Sequence, residues 1–184
     1  MKYIFDFDDV IFYATKRRYE STYPKLKKIG ISHKDIDDYY NKNRENLFTI
    51  KKLLAHFNLD EEYYAEMMHE IEDFKNMELV EIIKNLGKEN CYIISFGDEE
   101  FQLDKIKRTG IADLFSEIII VQGPKKEAIE KIASQYKNET IIFIDDKVHH
   151  FEDLDLVKHP NLKTVHFTNN AQLHDALPDL FLHK

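Results

Sequence analysis

The chain has no tryptophan, one cysteine, five glycines and four prolines in 184 residues. Each scarcity excludes something. With Cys91 alone, no intrachain disulfide can form, so the core must hold the fold, and a reducing compartment, the cytoplasm, is expected. With so little Gly and Pro there is no low-complexity linker, and no repeat is found. No window approaches the roughly 18 continuous apolar residues of a membrane span. The opening MKYIFDFDDV breaks its apolar run with acids at once, unlike a secretory signal. Positive charge is also short. Lys and Arg number 26 against 34 Asp and Glu, a formal net charge of -8. The overall field therefore favours neither nucleic acid nor an anionic membrane, and neither is expected as a partner. At this length one compact domain is expected, or a core domain with a modest insertion.

What the chain does have is a series of short runs rich in Ile, Val, Phe and Tyr, at 3–7, 91–96, 117–121, 140–144 and 164–167. Several are continuous rather than alternating, the pattern of strands buried on both faces of a parallel sheet. Helical patterns lie between them. The stretch 98–108 is closed by Gly110, and 124–136 opens on Gly-Pro, which suits a first helical turn. Weaker helical patterns cover 148–157 and 172–182. Alternating strands and helices predict an α/β doubly wound parallel sheet of Rossmann-like build.

One connection is different. More than 70 residues separate the first two strands and contain no strand-like run. Leu47, Ile50, Leu53, Leu54 and Phe57 recur there at helical spacing. Gly30 and Gly87 read as helix stops, Ser32 with Asp35 as a capping box, and Asp60 as an N-cap. That predicts a helical subdomain over 14–78 inserted into a core of 1–13 and 79–184, with a helix over 77–86 returning to the sheet.

The chemistry gathers at the strand ends. The first strand ends in Asp6-Phe7-Asp8-Asp9, and residues two apart on a strand project to one side. Three carboxylates with no basic residue beside them in sequence repel one another, so a positive partner is required, and this density of oxygen suits Mg²⁺. The fourth strand ends in Asp145-Asp146, which a parallel sheet brings to the same edge. The second ends in Ser95-Phe96-Gly97, a hydroxyl and backbone N–H groups suited to an anion. After the third come Lys125 and Lys126 at a predicted helix start, where cations oppose the helix dipole. A local rule broken in this way points to a site. Taken singly, each feature reads as a turn, a cap or a solvated surface. Together, acid pair, hydroxyl, lysine and acid pair fall in order at four successive strand ends.

In that order the sequence resembles the haloacid dehalogenase-like (HAD) superfamily. Tyr3-Ile4-Phe5-Asp6-Phe7-Asp8-Asp9-Val10 matches its first motif, Ser95 the second, Lys125 (or Lys126) the third and Asp145-Asp146 the fourth. The inserted region sits where the family's type-1 helical caps sit. The chain departs from the pattern in having Asp9 and Val10 where Gly and Thr are frequent. It also has His150 and Phe151 where a further Asp is frequent. The resemblance implies a Mg²⁺-dependent phosphomonoester hydrolase acting on a small phosphorylated metabolite or nucleotide. Asp6 would be the nucleophile that forms an aspartyl-phosphate, and Asp8 the general acid and base, with its pKa raised by neighbouring carboxylates. Lys125 would be the neutralising cation. Ser95 and the N–H groups of Phe96 and Gly97 would hold the phosphoryl oxygens. Asp6, the Asp8 carbonyl and Asp146 would hold the metal, with Asp145 direct or through water. Dehalogenases of the family lack the second acid of Asp-x-Asp, which favours a phosphate ester. The alternatives are a phosphotransferase or phosphomutase, and a metal-binding regulatory protein without catalysis. A receiver domain of a signalling system is discounted, because there the acceptor Asp lies on a middle strand and Lys comes last.

The predicted insert begins with a basic run, including Lys16, Arg17, Arg18 and Lys25, and holds several tyrosines, Tyr40 among them. The functional reading is attraction of an anionic substrate and stacking on it. The plainer reading is a solvated helix face and ordinary packing. His149 and His150 likewise read as a helix-start surface, and Cys91 as a small buried hydrophobe. The sequence leaves the oligomeric state open.

Overall fold

The computed structural model describes residues 1–43 and 47–177. A 5-stranded sheet forms the centre, with β1 (Lys2–Phe5), β2 (Cys91–Phe96), β3 (Glu117–Val121), β4 (Ile141–Asp145) and β5 (Leu162–His166) in the order β3-β2-β1-β4-β5. Every pairing is parallel. The chain runs outward from β1 through β2 to β3, then returns to the other side of β1. The reversal lies between β1 and β4, which puts the binding crevice at their carboxyl ends.

The strands form where the apolar runs predict, within a few residues at each end. β1 and β4 are buried throughout and β2 is buried up to Phe96, whereas the outer β3 and β5 are half-buried. Side chains alternate between two cores. Tyr3, Phe5, Ile93, Ile142 and Ile144 face one, and Ile4, Tyr92, Ile94, Ile141 and Phe143 face the other. The helices that cover the two faces are amphipathic, with Leu79, Val80, Ile82 and Ile83 turned to the first core and Ile129, Ile132 and Ala133 to the second.

Between β1 and β2 the chain is helical: α1 (Ala14–Arg17), one wide π turn (Arg18–Thr22), α2 (Tyr23–Lys28), α3 (His33–Asn43), α4 (Ile50–His56), α5 (Glu62–Met68), a 3-10 turn (Ile71–Phe74) and α6 (Met77–Leu86). The expected stops and caps are present. Gly30 and Gly87 take φ of 93° and 83° after α2 and α6, and Ser32 Oγ accepts from Asp35 N at 3.2 Å. Asp60 Oδ1 accepts from Glu62 N at 3.1 Å. Four helices remain: α7 (Glu99–Arg108), α8 (Lys126–Gln135), α9 (His149–Glu152) and α10 (Asn170–Ala176).

Two helical expectations change. The stretch 148–157 is helical only over α9. Asp153 and Asp155 would lie in the last turns of a longer helix, where the dipole disfavours acids, and Asp155 Oδ1 instead accepts from Lys158 N at 2.9 Å in a turn. The stretch 172–182 begins earlier, at Asn170, and residues 178–182 lie outside the described residues. Among the described residues no helix is long and apolar enough to cross a membrane.

Candidate active site at the carboxyl edge of the sheet

Asp6 follows β1 directly and is 2% exposed. Its Oδ1 accepts from Phe7 N at 2.7 Å and lies 2.8 Å from Lys125 Nζ. Lys125 is equally buried and also donates to Asp145 Oδ2 at 2.7 Å. It precedes α8 rather than sitting in its first turn, so two carboxylates, one at the end of β1 and one at the end of β4, offset the unfavourable dipole. Lys126 goes the other way, with Nζ 2.6 Å from the Asp153 carbonyl and 3.8 Å from Glu130. Of the two candidate lysines, the fold brings Lys125 to the acids.

Asp145, fully buried, is an organising hub. Oδ1 accepts from Lys147 N at 2.8 Å, and Oδ2 is shared between Lys125 and His150 Nδ1, the latter also at 2.8 Å. Burial pushes its carboxyl up, but the His150 hydrogen bond and the Lys125 charge outweigh this and hold it at about 2. A carboxylate only accepts, so Nδ1 of His150 carries the proton. Asp146 behaves oppositely. Burial, together with the charges of Asp6 and Asp145, pushes it up to about 6 against the pull of Lys147. Among the described residues its Oδ1 is buried with no hydrogen-bond partner, and the nearest ammonium, Lys147 Nζ, is 3.8 Å away. Asp6, Asp145 and Asp146 each offer a carboxylate oxygen within 4.8 Å of the others. Burial likewise pushes the Asp6 carboxyl up against the pull of Lys125. An all-oxygen set with excess negative charge and an orphaned acceptor fits a hard divalent cation.

Asp8 departs from expectation. Lys105 Nζ, from the last turns of α7, donates to both its oxygens at 2.6 and 2.7 Å, and Gln102 Nε2 donates to Oδ2 at 2.9 Å. Burial pushes the carboxyl up, but Lys105 and Gln102 outweigh it, and the net direction is down. The raised pKa expected from neighbouring acids is therefore corrected, because a buried lysine 97 residues away in sequence supplies the counter-charge. Gly97 is also corrected. Its N–H is spent on the Val121 carbonyl at 2.9 Å and is not free for an anion. Its glycine serves close approach instead: φ is +153°, and a Cβ there would stand 2.7 Å from Gln102 Nε2. Ser95 stays available, with its hydroxyl oxygen buried and unpartnered among the described residues. Phe96 is 37% exposed at the rim.

Asp9 explains one departure from the family pattern. Its φ is 59°, a left-handed value that Asp tolerates better than most residues. Its carboxylate takes Thr15 N at 2.8 Å and Thr15 Oγ1 at 2.6 Å, tying the end of β1 to α1. Asp6, Asp8, Ser95, Lys125, Lys147 and His150 line one open cleft of about 760 Å³.

Sequence reasoning missed Lys105, Gln102 and Lys147, and read His150 as surface. A lysine near the end of a helix is the ordinary dipole pattern and carries no signal. His150 did carry one, since it stands where the family frequently has an acid.

A parallel sheet with acids, a hydroxyl and a buried lysine at its carboxyl edge defines a hydrolase of the HAD class. The family model for haloacid dehalogenase-like hydrolase matches residues 3–150, and the chain belongs to that family. No curated protein matches the sequence. Among solved structures, a hydrolase from Streptococcus pneumoniae is similar, with 20% identity over 96% of this chain and 97% of that one and a TM-score of 0.59. A haloacid dehalogenase-like hydrolase from Burkholderia xenovorans reaches a TM-score of 0.69 at 16% identity, over 89% of this chain and 82% of that one. The HAD-hydrolase YfnB from Bacillus subtilis, solved bound to magnesium, gives 0.53 at 17% identity, over 89% and 84%. At these identities the likeness is one of fold.

Proposed function

We propose that this chain is a magnesium-dependent phosphomonoester hydrolase acting on a small phosphorylated substrate, with the core at 1–13 and 79–184 and a helical cap at 14–78. The observation that carries the reading is a pair of orphaned buried atoms beside Asp6. Among the described residues, Asp146 Oδ1 has no hydrogen-bond partner and only a distant ammonium, Lys147 Nζ at 3.8 Å, and Ser95 Oγ has no partner. A metal ion and a phosphoryl oxygen would supply both, and the magnesium-bound Bacillus subtilis relative is in keeping with the metal. Asp6, the Asp8 carbonyl and Asp146 would hold Mg²⁺, with Asp145 orienting Lys125. Bound there, the ion would offset the repulsion between a phosphate dianion and the Asp6 carboxylate.

Asp6 then attacks phosphorus. An Asp6 O–P bond forms, the bond to the leaving oxygen breaks, and an aspartyl-phosphate results, dividing one difficult step into two. Lys125 neutralises charge on the nucleophile and on the transferred group, while Ser95 donates to a phosphoryl oxygen. Asp8, held ionised by Lys105 and Gln102, is ready to take a proton from the water that attacks the aspartyl-phosphate. Protonating the leaving oxygen in the first step requires Asp8 to acquire a proton and loosen from Lys105. The single cysteine leaves no intrachain disulfide to form, in keeping with a reducing compartment such as the cytoplasm.

The test is phosphate release from an aryl phosphate and a metabolite panel, with and without Mg²⁺, beside Asp6→Asn. Magnesium-dependent turnover that Asp6→Asn abolishes is expected. Turnover that survives Asp6→Asn would overturn the mechanism, and an inactive wild type that still binds Mg²⁺ would favour a binding role.

A further inference from the structure

Arg17 and Arg18 are the charged groups that this chemistry leaves unexplained. They lie where α1 gives way to the π turn, a wide turn of the kind often found at functional sites. Arg17 is 5% exposed, although the basic run around it reads as a solvated face. It donates to the Met67 carbonyl, its Nε has no hydrogen-bond partner, and no described carboxylate pairs with it. A guanidinium has five N–H donors, and burying one without a counter-ion costs free energy unless something else satisfies it. Desolvation pushes its pKa down to about 10, against the pull of Asp8. Arg18 stands over the Tyr40 ring at 4.3 Å, and its Nε is also buried without a partner among the described residues.

Both arginines line a half-open cavity of about 210 Å³ between the helical insert and the end of the sheet. Asp8, Tyr40, Phe96 and Lys147 border both this cavity and the cleft beside Asp6, so the two adjoin. Much of the remaining wall is apolar, with Phe12, Ile36, Phe48 and Phe101 among it. Such a space suits the non-reacting end of a substrate whose phosphoryl group lies at Asp6.

We infer that this cavity binds a second acidic group of the substrate, a carboxylate or a phosphate carried on a flat apolar body, through Arg17 and Arg18. The substrate class is then an anionic phosphomonoester rather than a neutral sugar or alcohol phosphate. This assignment rests on the phosphatase reading, whereas the anion site stands apart from it. An acid seated there completes the buried Arg17, and the Tyr40 ring 4.3 Å from the Arg18 guanidinium carbon steadies Arg18 for the same acid.

The kinetic test compares phenyl phosphate with its 4-carboxy derivative and with 1,4-phenylene bisphosphate. A charge-assisted contact of this kind predicts about a tenfold to hundredfold higher kcat/KM for an acid-bearing ester. Whichever arm gains more identifies carboxylate or phosphate. In Arg18→Met the ratio to phenyl phosphate should fall to about one. No preference in the wild type, or one that persists in Arg18→Met, overturns the inference. A second measurement needs no turnover. Benzoate and benzyl alcohol are titrated calorimetrically into the metal-free wild type, Arg17→Met and Arg18→Met. Benzoate binding that benzyl alcohol does not match, and that either variant loses, supports the site even if no phosphate ester is hydrolysed. Equal or absent heats for the two probes sink it. If Arg17→Met fails to fold, Arg18→Met decides the outcome.

Discussion

Two buried lysines flank the end of β1, and they are used differently. Lys125, ahead of α8, is 2% exposed and bridges Asp6 and Asp145. Lys105, late in α7, is 5% exposed and grips both oxygens of Asp8. The first stands where a phosphate dianion would bring more negative charge to Asp6, the proposed nucleophile. The second fixes the protonation state and direction of a neighbouring acid. The same ammonium group therefore neutralises on one side of the strand and restrains on the other. Asp146 is the acid that neither lysine holds, in keeping with the metal role proposed for it.

The comparison breaks most visibly at Lys125. Lys125→Met should cost roughly a hundredfold to a thousandfold in kcat, the scale of losing one preorganised electrostatic contact. It should also lower metal-free stability by about 3 to 5 kcal/mol, because Asp6 loses its counter-charge and stays buried. Steady-state kinetics and urea melts would check the two parts. A variant with full activity would remove Lys125 from the mechanism.

Lys105→Met should act on a different quantity. Freed from its partner, Asp8 would protonate more readily and serve better as an acid but less well as a base. Poor leaving groups should then gain on good ones by roughly tenfold, within the range of general acid catalysis. The measurement is the ratio of rates on an alkyl and a nitrophenyl phosphate. An unchanged ratio would reduce Lys105 to packing.

The same contrast explains what could be read in the sequence. The sheet was legible because central parallel strands need continuous apolar runs, as in Ile141 to Ile144. Asp6, Ser95, Lys125, Asp145 and Asp146 were legible because each interrupts a regular pattern at a strand end or helix start. Lys105 and Gln102 break no local rule, and their partner Asp8 is 94 or more residues away. Only the tertiary fold reveals them. Arg17 was hidden for the opposite reason: a run of cations looks solvated, yet a helix turns one of every few residues inward. The stretch 148–157 misled because its apolar spacing outweighed acids placed against the helix dipole.

Asp146 sharpens the comparison as the acid outside both clamps. Its folded pKa of about 6 lies above the ordinary carboxylate value of 3.8, so its ionised form is disfavoured by folding. Its contribution to stability is fully present below pH 3.8 and is lost as pH rises through about 6. Asp145, held at about 2, has the opposite slope, with stability present above 3.8 and lost as pH falls toward 2. In metal-free protein at neutral pH, Asp146→Asn should therefore stabilise by roughly 1 to 3 kcal/mol. It should also remove the stabilisation that added Mg²⁺ gives the wild type. Thermal melts against pH, with and without Mg²⁺, would show both effects. A destabilised Asp146→Asn would mean that the acid is already satisfied within the chain.

The smallest effect tests the restraint on Asp8 from its neutral side. Gln102 donates to Asp8 and to the Phe96 carbonyl, at 2.9 and 2.8 Å, and it comes that close because residue 97 has no Cβ. Gln102→Ala should cost about 1 kcal/mol and change turnover only a few-fold, since Lys105 still holds both oxygens. Gly97→Ala should cost more, because it combines a left-handed φ with a clash against Gln102. The strain at φ is common to any background, but the clash is not. In Gln102→Ala protein, Gly97→Ala should therefore cost about 1 kcal/mol less than in the wild type. A double-mutant cycle by urea denaturation measures that coupling. A coupling of zero would mean that Gly97 is there for its backbone alone, and that the approach of Gln102 to Asp8 does not depend on it.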